Sequence, residues 1–202
     1  MPKANKIPKK HTLALVLSGG AGRRFHDLDK GLQSYRGKPL IQWVISQVQP
    51  QVHDMLICIN RNKSQYIEFG VPLVFDNDPG YPGPLAGVTA AIDFILSRTE
   101  YKPVQRLLLS SCDSPALPGN YVAKLHANLD IHGAGVAVVH DGNRTQNLHC
   151  LIDRSKWESL RKFYRDGGRA IHRWHKQQGA IEVDFSDQAE CFLNINSPEQ
   201  LS

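Results

Sequence analysis

The segment S-G-G-A-G-R-R-F-H-D-L-D-K, residues 18–30, gathers residue types suited to holding a polyphosphate. Gly19, Gly20 and Gly22 let backbone N–H groups approach a phosphate with no Cβ in the way. Arg23, Arg24 and Lys30 add charge-assisted donors. The plain alternative is a glycine turn carrying solvated cations. Two phosphate motifs fail here. A Walker A loop needs G-x-x-x-x-G-K-[ST], but Lys30 follows Asp29 and precedes Gly31. A dinucleotide fingerprint, G-x-G-x-x-G, begins at Gly20 and Gly22 and meets Phe25 at its third glycine. Asp113, in S-C-D-S-P (111–115), is a second candidate: a carboxylate able to hold Mg²⁺ against phosphates, or to cap a helix opening near Pro118. Asp76, in D-N-D-P-G, reads as a ligand or as turn chemistry.

Chemistry of this kind needs a scaffold that brings distant loops to one place. The runs LALVL (13–17), MLICI (55–59), PLVF (72–75), RLLLS (106–110) and GVAVVH (135–140) predict buried strands. Helices are predicted from Pro39, with Leu40, Val44 and Val48 as an apolar stripe, from Pro84, and from Pro118 with Val122, Leu125 and Leu129. Strand and helix in alternation imply a single doubly wound, mostly parallel α/β sheet of Rossmann-like type. Beyond residue 140 the pattern is less regular. Strands are predicted over 147–153, 180–184 and 192–196, helical segments over 157–165 and 169–177, and a capped turn at Ser197-Pro198-Glu199. One domain, 12–202, follows an arm of residues 1–11. In such a sheet ligands bind beyond the carboxyl ends of the strands, where both residues 18–30 and Asp113 fall.

In their order, the motifs resemble those of the molybdenum cofactor guanylyltransferase (MobA) family of nucleotidyltransferases. The family pattern L-x-G-G-x-x-x-R-M-G-x-x-D-K is met at Leu17, Gly19, Gly20, Arg24, Asp29 and Lys30. The likeness continues through G-K-P-L (37–40), I-N-R (59–61), D-x-x-x-x-Y-P-G-P-L-A-G (76–87), S-C-D-S-P, V-D-F-S-D (183–187) and N-I-N-S-P-E-Q-L (194–201). Ser18 stands where the family has Ala, and Phe25-His26 where it has Met-Gly. The resemblance implies a reaction in which the terminal phosphate of molybdopterin attacks the α-phosphorus of GTP and expels pyrophosphate. It implies Arg24, Lys30 and Asp113 as catalytic residues, with Mg²⁺ on Asp113. Nucleotide contacts are implied for Leu17, Ser18, Gly19, Gly20, Lys30, Asn60, Asp76 and Asp113, and acceptor or metal-shell contacts for Asn194 and Asn196. Implied partners are GTP, molybdopterin or Mo-molybdopterin, and molybdenum-insertion and acceptor molybdoenzyme proteins. Two rival readings share these residues: cytidylyl transfer to a related pterin, and a non-catalytic nucleotide-binding adaptor of a molybdoenzyme. Asp113 speaks against the adaptor, since a pure binder has less use for a metal carboxylate in the crevice.

Composition sets the outer bounds. With 202 residues, 41% of them hydrophobic, and only 16 Gly and 12 Pro, the chain suits one globular domain and not a collagen-like or wholly disordered class. The longest uninterrupted aliphatic run, 13–17, falls far short of the roughly 20 residues of a membrane span. Ser18-Gly19-Gly20 also breaks the one candidate secretory signal, so a cytoplasmic monomer is expected. Lys3, Lys6, Lys9 and Lys10 supply most of the formal charge of +5, in an arm expected to be disordered. Cys58, Cys112, Cys150 and Cys191 form no C-x-x-C pair and are expected as buried, reduced thiols. His172 and His175 share a helical spacing without a Cys or carboxylate beside them, so no structural metal is expected there. Residues 154–176 hold eight Lys or Arg against Glu158 and Asp166, among aromatic residues, as nucleic-acid binders can. Because Trp157, Leu160 and Tyr164 fall on one helical stripe, the segment reads instead as a core helix with a basic rim. That rim would suit an anionic pterin phosphate or an acidic acceptor protein, with no role for nucleic acid.

Overall fold

The first strand, β1 (Thr12–Leu17), is buried along its whole length. Its side chains alternate between two cores, as strand geometry requires. Ala14 and Val16 enter one, Leu13, Leu15 and Leu17 the other. A strand apolar on both faces needs helices on both faces, and this requirement organises the molecule. The protein is seen here as a computed structural model that describes residues 11–18, 28–76 and 83–201. Gly19, Gly20 and Arg24 lie outside the described residues, as does the basic arm up to residue 10.

After β1 the chain forms a short antiparallel ribbon, β2 (Ser34–Tyr35) with β3 (Lys38–Pro39), and enters α1 (Leu40–Val48) with Pro39 as its cap. Then follow β4 (Asp54–Ile59), α2 (Lys63–Ile67), β5 (Leu73–Phe75), α3 (Pro84–Leu96), β6 (Arg106–Ser111) and α4 (Tyr121–His132). The last third adds β7 (Val136–His140), β8 (Thr145–Asp153), α5 (Trp157–Arg165), α6 (Ile171–Gln178) and β9 (Ile181–Asp184). Seven strands make one sheet in the order β5-β4-β1-β6-β8-β7-β9. Strands β5, β4, β1 and β6 are parallel, β8 is antiparallel to both β6 and β7, and β9 is parallel to β7. Helices α1 and α4 cover one face through Ile41, Val44, Val122 and Leu125. The other face is covered by α3, α5 and α6 through Val88, Ile92, Trp157, Leu160 and Trp174. The fold is therefore the expected α/β class with a mostly parallel sheet.

Three local expectations are corrected. Residues 192–196 are not a strand: Ser186–Phe192 winds as a 3₁₀ segment that buries Phe192. The backbone beyond it bonds to loops, with Ile195 N donating to Asp113 O (2.9 Å) and Asn196 N to Gln200 Oε1 (2.6 Å), which leaves no ladder to join. The helix expected at Pro118 begins at Tyr121, after a turn in which Tyr121 N bonds Pro118 O. Helix α6 likewise starts at Ile171, two residues later than expected. Among the described residues no helix is long and apolar enough to cross a membrane.

Candidate active site

Strand β1 sits between β4 and β6, and the chain leaves it first toward β4 and β5 and returns on the other side as β6. This reversal opens a crevice at the carboxyl ends of β1 and β6, the place where open α/β sheets bind ligands. Leu17 pairs in register with Ser111, and Cys112 N donates to Leu17 O (3.1 Å), so residues 18 and 112–114 are adjacent loops. The Leu17 side chain turns into the core, and its carbonyl is taken up by Cys112 N.

Ser18 and Asp29 flank the glycine-rich segment and are stapled through Tyr66, at the end of α2. Ser18 Oγ lies 2.6 Å from the Tyr66 hydroxyl, which donates to Asp29 Oδ1 at 2.7 Å. With its own proton given to Asp29, Tyr66 accepts the Ser18 proton. Burial pushes the Tyr66 hydroxyl up, so it stays a donor at every physiological pH. Asn62, in the left-handed region with φ 58°, donates to Asp29 Oδ2 at 3.1 Å. Asp29 Oδ1 also accepts from Gly31 N at 3.2 Å and caps the 3₁₀ turn Lys30–Leu32. Gly31 has to be glycine. A Cβ there would run into Ser18 Oγ and lie 2.5 Å from the Tyr66 oxygen. Sequence reading passed over Tyr66, Asn62 and Gly31; the D-K-G run was its only signal for them.

The staple presents Lys30 across the crevice, where Nζ bonds Asp113 Oδ2 (2.8 Å) and Asn196 Oδ1 (3.2 Å). Asp113 therefore does not cap α4, whose first turn has Asn120 in the cap position and no side-chain cap bond. Its other oxygen, Oδ1, is buried and has no hydrogen-bond partner among the described residues. An unpartnered buried carboxylate oxygen is costly, and a hard cation is one way to satisfy it. No three metal-binding side chains cluster among the described residues. A metal here would lean on Asp113 and on ligand oxygens, an arrangement that suits Mg²⁺ with a polyphosphate better than an all-protein cage. Asn194 joins the same group by accepting from Ser114 Oγ at 2.8 Å. Four of the expected residues, Lys30, Asp113, Asn194 and Asn196, thus converge. Beside them opens a cleft of about 610 Å³, lined by Asp113, Asn194, His149, Arg144, Asn147 and His172 among others.

Asn60 and Asp76 stand apart from that group, following β4 and β5 on the far side of β1. Asp76 N bonds Ile59 O (3.2 Å), and its side chain borders a separate hollow of about 300 Å³ with Thr89, Arg161 and Tyr164. The basic rim of α5 is largely ion-paired: Arg161 with Asp93 and Glu158, Arg165 with Glu158, and Lys162 with Asp166. Trp157 and Leu160 are core residues, as their spacing predicts. All four cysteines are free thiols, three of them buried. Cys112 precedes Asp113, and burial, reinforced by the Asp113 charge, pushes it up to about 12, which rules it out as a nucleophile.

The sequence and the fold have counterparts in known proteins. The chain is 40% identical over 187 residues to a protein of Shewanella halifaxensis named molybdenum cofactor guanylyltransferase, covering 93% of this chain and 90% of that one. It is 38% identical to the protein of that name from Shewanella sediminis, covering 93% and 92%. Among solved structures it resembles molybdopterin-guanine dinucleotide biosynthesis protein A from Archaeoglobus fulgidus, with TM-score 0.73, 20% identity and 94% of each chain covered. The same fold, at TM-score 0.69 and 9% identity over 97% and 95% of the two chains, occurs in 4-diphosphocytidyl-2C-methyl-D-erythritol synthase from Anaerococcus prevotii. Residues 14–181 match the family described as the MobA-like NTP transferase domain, which takes in both sides of the crevice and the ion pair across it, and the chain belongs to that family.

Proposed function

We propose that this chain transfers GMP from GTP to the terminal phosphate of molybdopterin, releasing pyrophosphate and giving the guanine dinucleotide cofactor. A phosphate oxygen of the pterin attacks the α-phosphorus as the bond to the β-phosphate oxygen breaks. The observation that carries the reading is the meeting of Lys30, Asp113 and Asn196 at the β1/β6 crevice, beside a cleft large enough for a second substrate. The names of the relatives support guanylyl transfer within that chemistry.

Each residue then has a task. The backbone at Leu17, Ser18, Gly19 and Gly20 holds the nucleotide, and Asn60 and Asp76 take the ribose and base. The Asp76 carboxylate accepts from guanine N1–H and N2–H₂, a pair of donors that adenine and cytosine lack in that arrangement. Arg24 and Lys30 hold the charge that gathers on the departing pyrophosphate. Asn194 and Asn196 orient the acceptor. Asp113, with its unpartnered Oδ1, would hold Mg²⁺. When bound, that ion neutralises phosphate oxygens. In-line transfer asks mainly for positioning, and a phosphate monoester is already ionised near neutral pH, so no general base is required.

Purified protein with Mg²⁺, molybdopterin and each NTP in turn, scored by pyrophosphate release, tests the reading. GTP should exceed CTP and ATP in kcat/KM by roughly 10⁴-fold, the discrimination open to sites that read polar groups. A comparable rate with CTP would refute guanylyl transfer and leave nucleotidyl transfer standing.

A further inference from the structure

His149, on β8, is buried to 2% exposure beside the cleft, in a row of hydrogen-bonding groups of which the reaction described above uses only the last, Asn194. Its Nδ1 lies 3.3 Å from Ser110 Oγ and its Nε2 lies 3.0 Å from Ser114 Oγ. Ser114 Oγ in turn donates to Asn194 Oδ1 at 2.8 Å. Each hydroxyl has one proton, so the direction of the row is determined. Ser114 gives its proton to Asn194 and must accept from His149, whose Nε2 therefore carries hydrogen. Nδ1 is then the acceptor and takes the Ser110 proton, because Tyr121, 3.5 Å away, donates to the Leu109 carbonyl. Tyr121 and Phe192 meet the imidazole edge-on and hold its plane. Burial pushes the His149 ring down against the opposing charge of Asp113, in keeping with a neutral ring that has one N–H.

At the end of the row stands the amide of Asn194, in the cleft wall. Ser114 engages a lone pair of Oδ1 and so fixes the turn of the amide, whose NH₂ supplies its donors. We propose that His149 is a positioning residue for the second substrate: through Ser114 it fixes the Asn194 amide so that the cleft presents a hydrogen-bond donor. The cleft thereby selects an acceptor group, a phosphate or ring carbonyl, such as a phosphorylated pterin carries. Backbone contact reinforces the arrangement, since Ile195 N bonds Asp113 O (2.9 Å) and ties the 194–196 segment to the Asp113 loop. The inference rests on the guanylyl-transfer reading for the identity of the second substrate, but the direction of the row does not.

Two measurements test it. ¹⁵N NMR of the histidine-labelled protein at neutral pH should find His149 neutral with hydrogen on Nε2; hydrogen on Nδ1 would reverse the row and overturn the proposal. Steady-state kinetics on Ser114→Ala and His149→Leu should show KM for molybdopterin raised about tenfold, as expected for losing an ordered donor to a charged group. In both variants kcat and KM for GTP should stay within about twofold. His149→Gln, whose amide can donate to Ser114 in place of Nε2–H, should recover most of the loss. An unchanged molybdopterin KM in Ser114→Ala, or equal losses in the Leu and Gln variants, refutes the relay. If His149→Leu fails to fold, Ser114→Ala and the NMR result decide. If the wild type itself releases no pyrophosphate with molybdopterin, the reaction reading falls, and the relay stands or falls on the tautomer.

Discussion

Lys30 and Asp113 form a partly buried pair, with side chains 22% and 16% exposed, where the segments that follow β1 and β6 meet. Removing one partner leaves the other partly buried charge unpaired, so activity and melting temperature should be read together. Lys30→Ala should lower kcat/KM for GTP about a hundredfold, the rate equivalent of roughly 3 kcal/mol of lost transition-state stabilisation. Its melting temperature should fall modestly, because the Asp113 charge loses its lysine partner. Arg at this position should restore only part of the rate, being planar where a compact ammonium is needed. Asp113→Asn keeps the shape and removes the charge, and should fold normally while losing most turnover at saturating Mg²⁺. Near-normal turnover with about 1 kcal/mol of lost stability would instead mark Asp113 as structural. The sequence left Asp113 balanced between ligand and helix cap. The cap reading falls because Asn120 takes the cap position, while the carboxylate meets Lys30, 83 residues away, a contact that no local pattern shows.

Among the elements, the strands were the most legible, because a strand buried on both faces is an unbroken apolar run wherever it falls. Thus 13–17, 55–59 and 106–110 were found nearly to the residue. The staple beneath the glycine-rich segment was not legible. It ties β1 to α2 through Tyr66, 48 residues from Ser18, and a lone tyrosine in a polar helix carries no mark of such a partner. Its importance can be measured. Gly31→Ala forces a methyl into the Ser18–Tyr66 contact and should cost about 1–3 kcal/mol, with weaker GTP binding in calorimetry. Tyr66→Phe removes the shared proton, leaves Asp29 short of a donor, and should weaken GTP binding in the same direction. Wild-type affinity in both variants would detach the staple from the nucleotide site. Residues 192–196 misled for a related reason: their alternation is that of a strand, but Asp113 O and Gln200 Oε1 claim the backbone donors.

For the molecule as a whole, buried histidines set a limit toward acid. His126, between Thr12 and Arg106, and His175, whose two ring nitrogens lack partners among the described residues, are both pushed down to about 4, chiefly by burial. Folded values below the ordinary 6.5 mean that the unfolded chain takes up protons first. Their contribution is therefore full above pH 6.5 and is lost as pH falls from there toward 4. At about 1.4 kcal/mol per pKa unit, the melting temperature should drop clearly between pH 7 and pH 5. His175→Leu should flatten part of that drop, and a melting temperature level across the interval would contradict it. The crevice also has an order of completion. Asn196 meets Lys30 across 166 residues, and Ile195 closes onto the Asp113 loop from the same late segment. On the ribosome, both members of the ion pair emerge while the segment that braces them is still unmade. On the proposed function, a growing chain would carry the nucleotide side of the crevice long before the wall for the second substrate. The two binding sites proposed above would thus be completed at different times, and a chain cut before residue 194 should bind GTP without binding the second substrate.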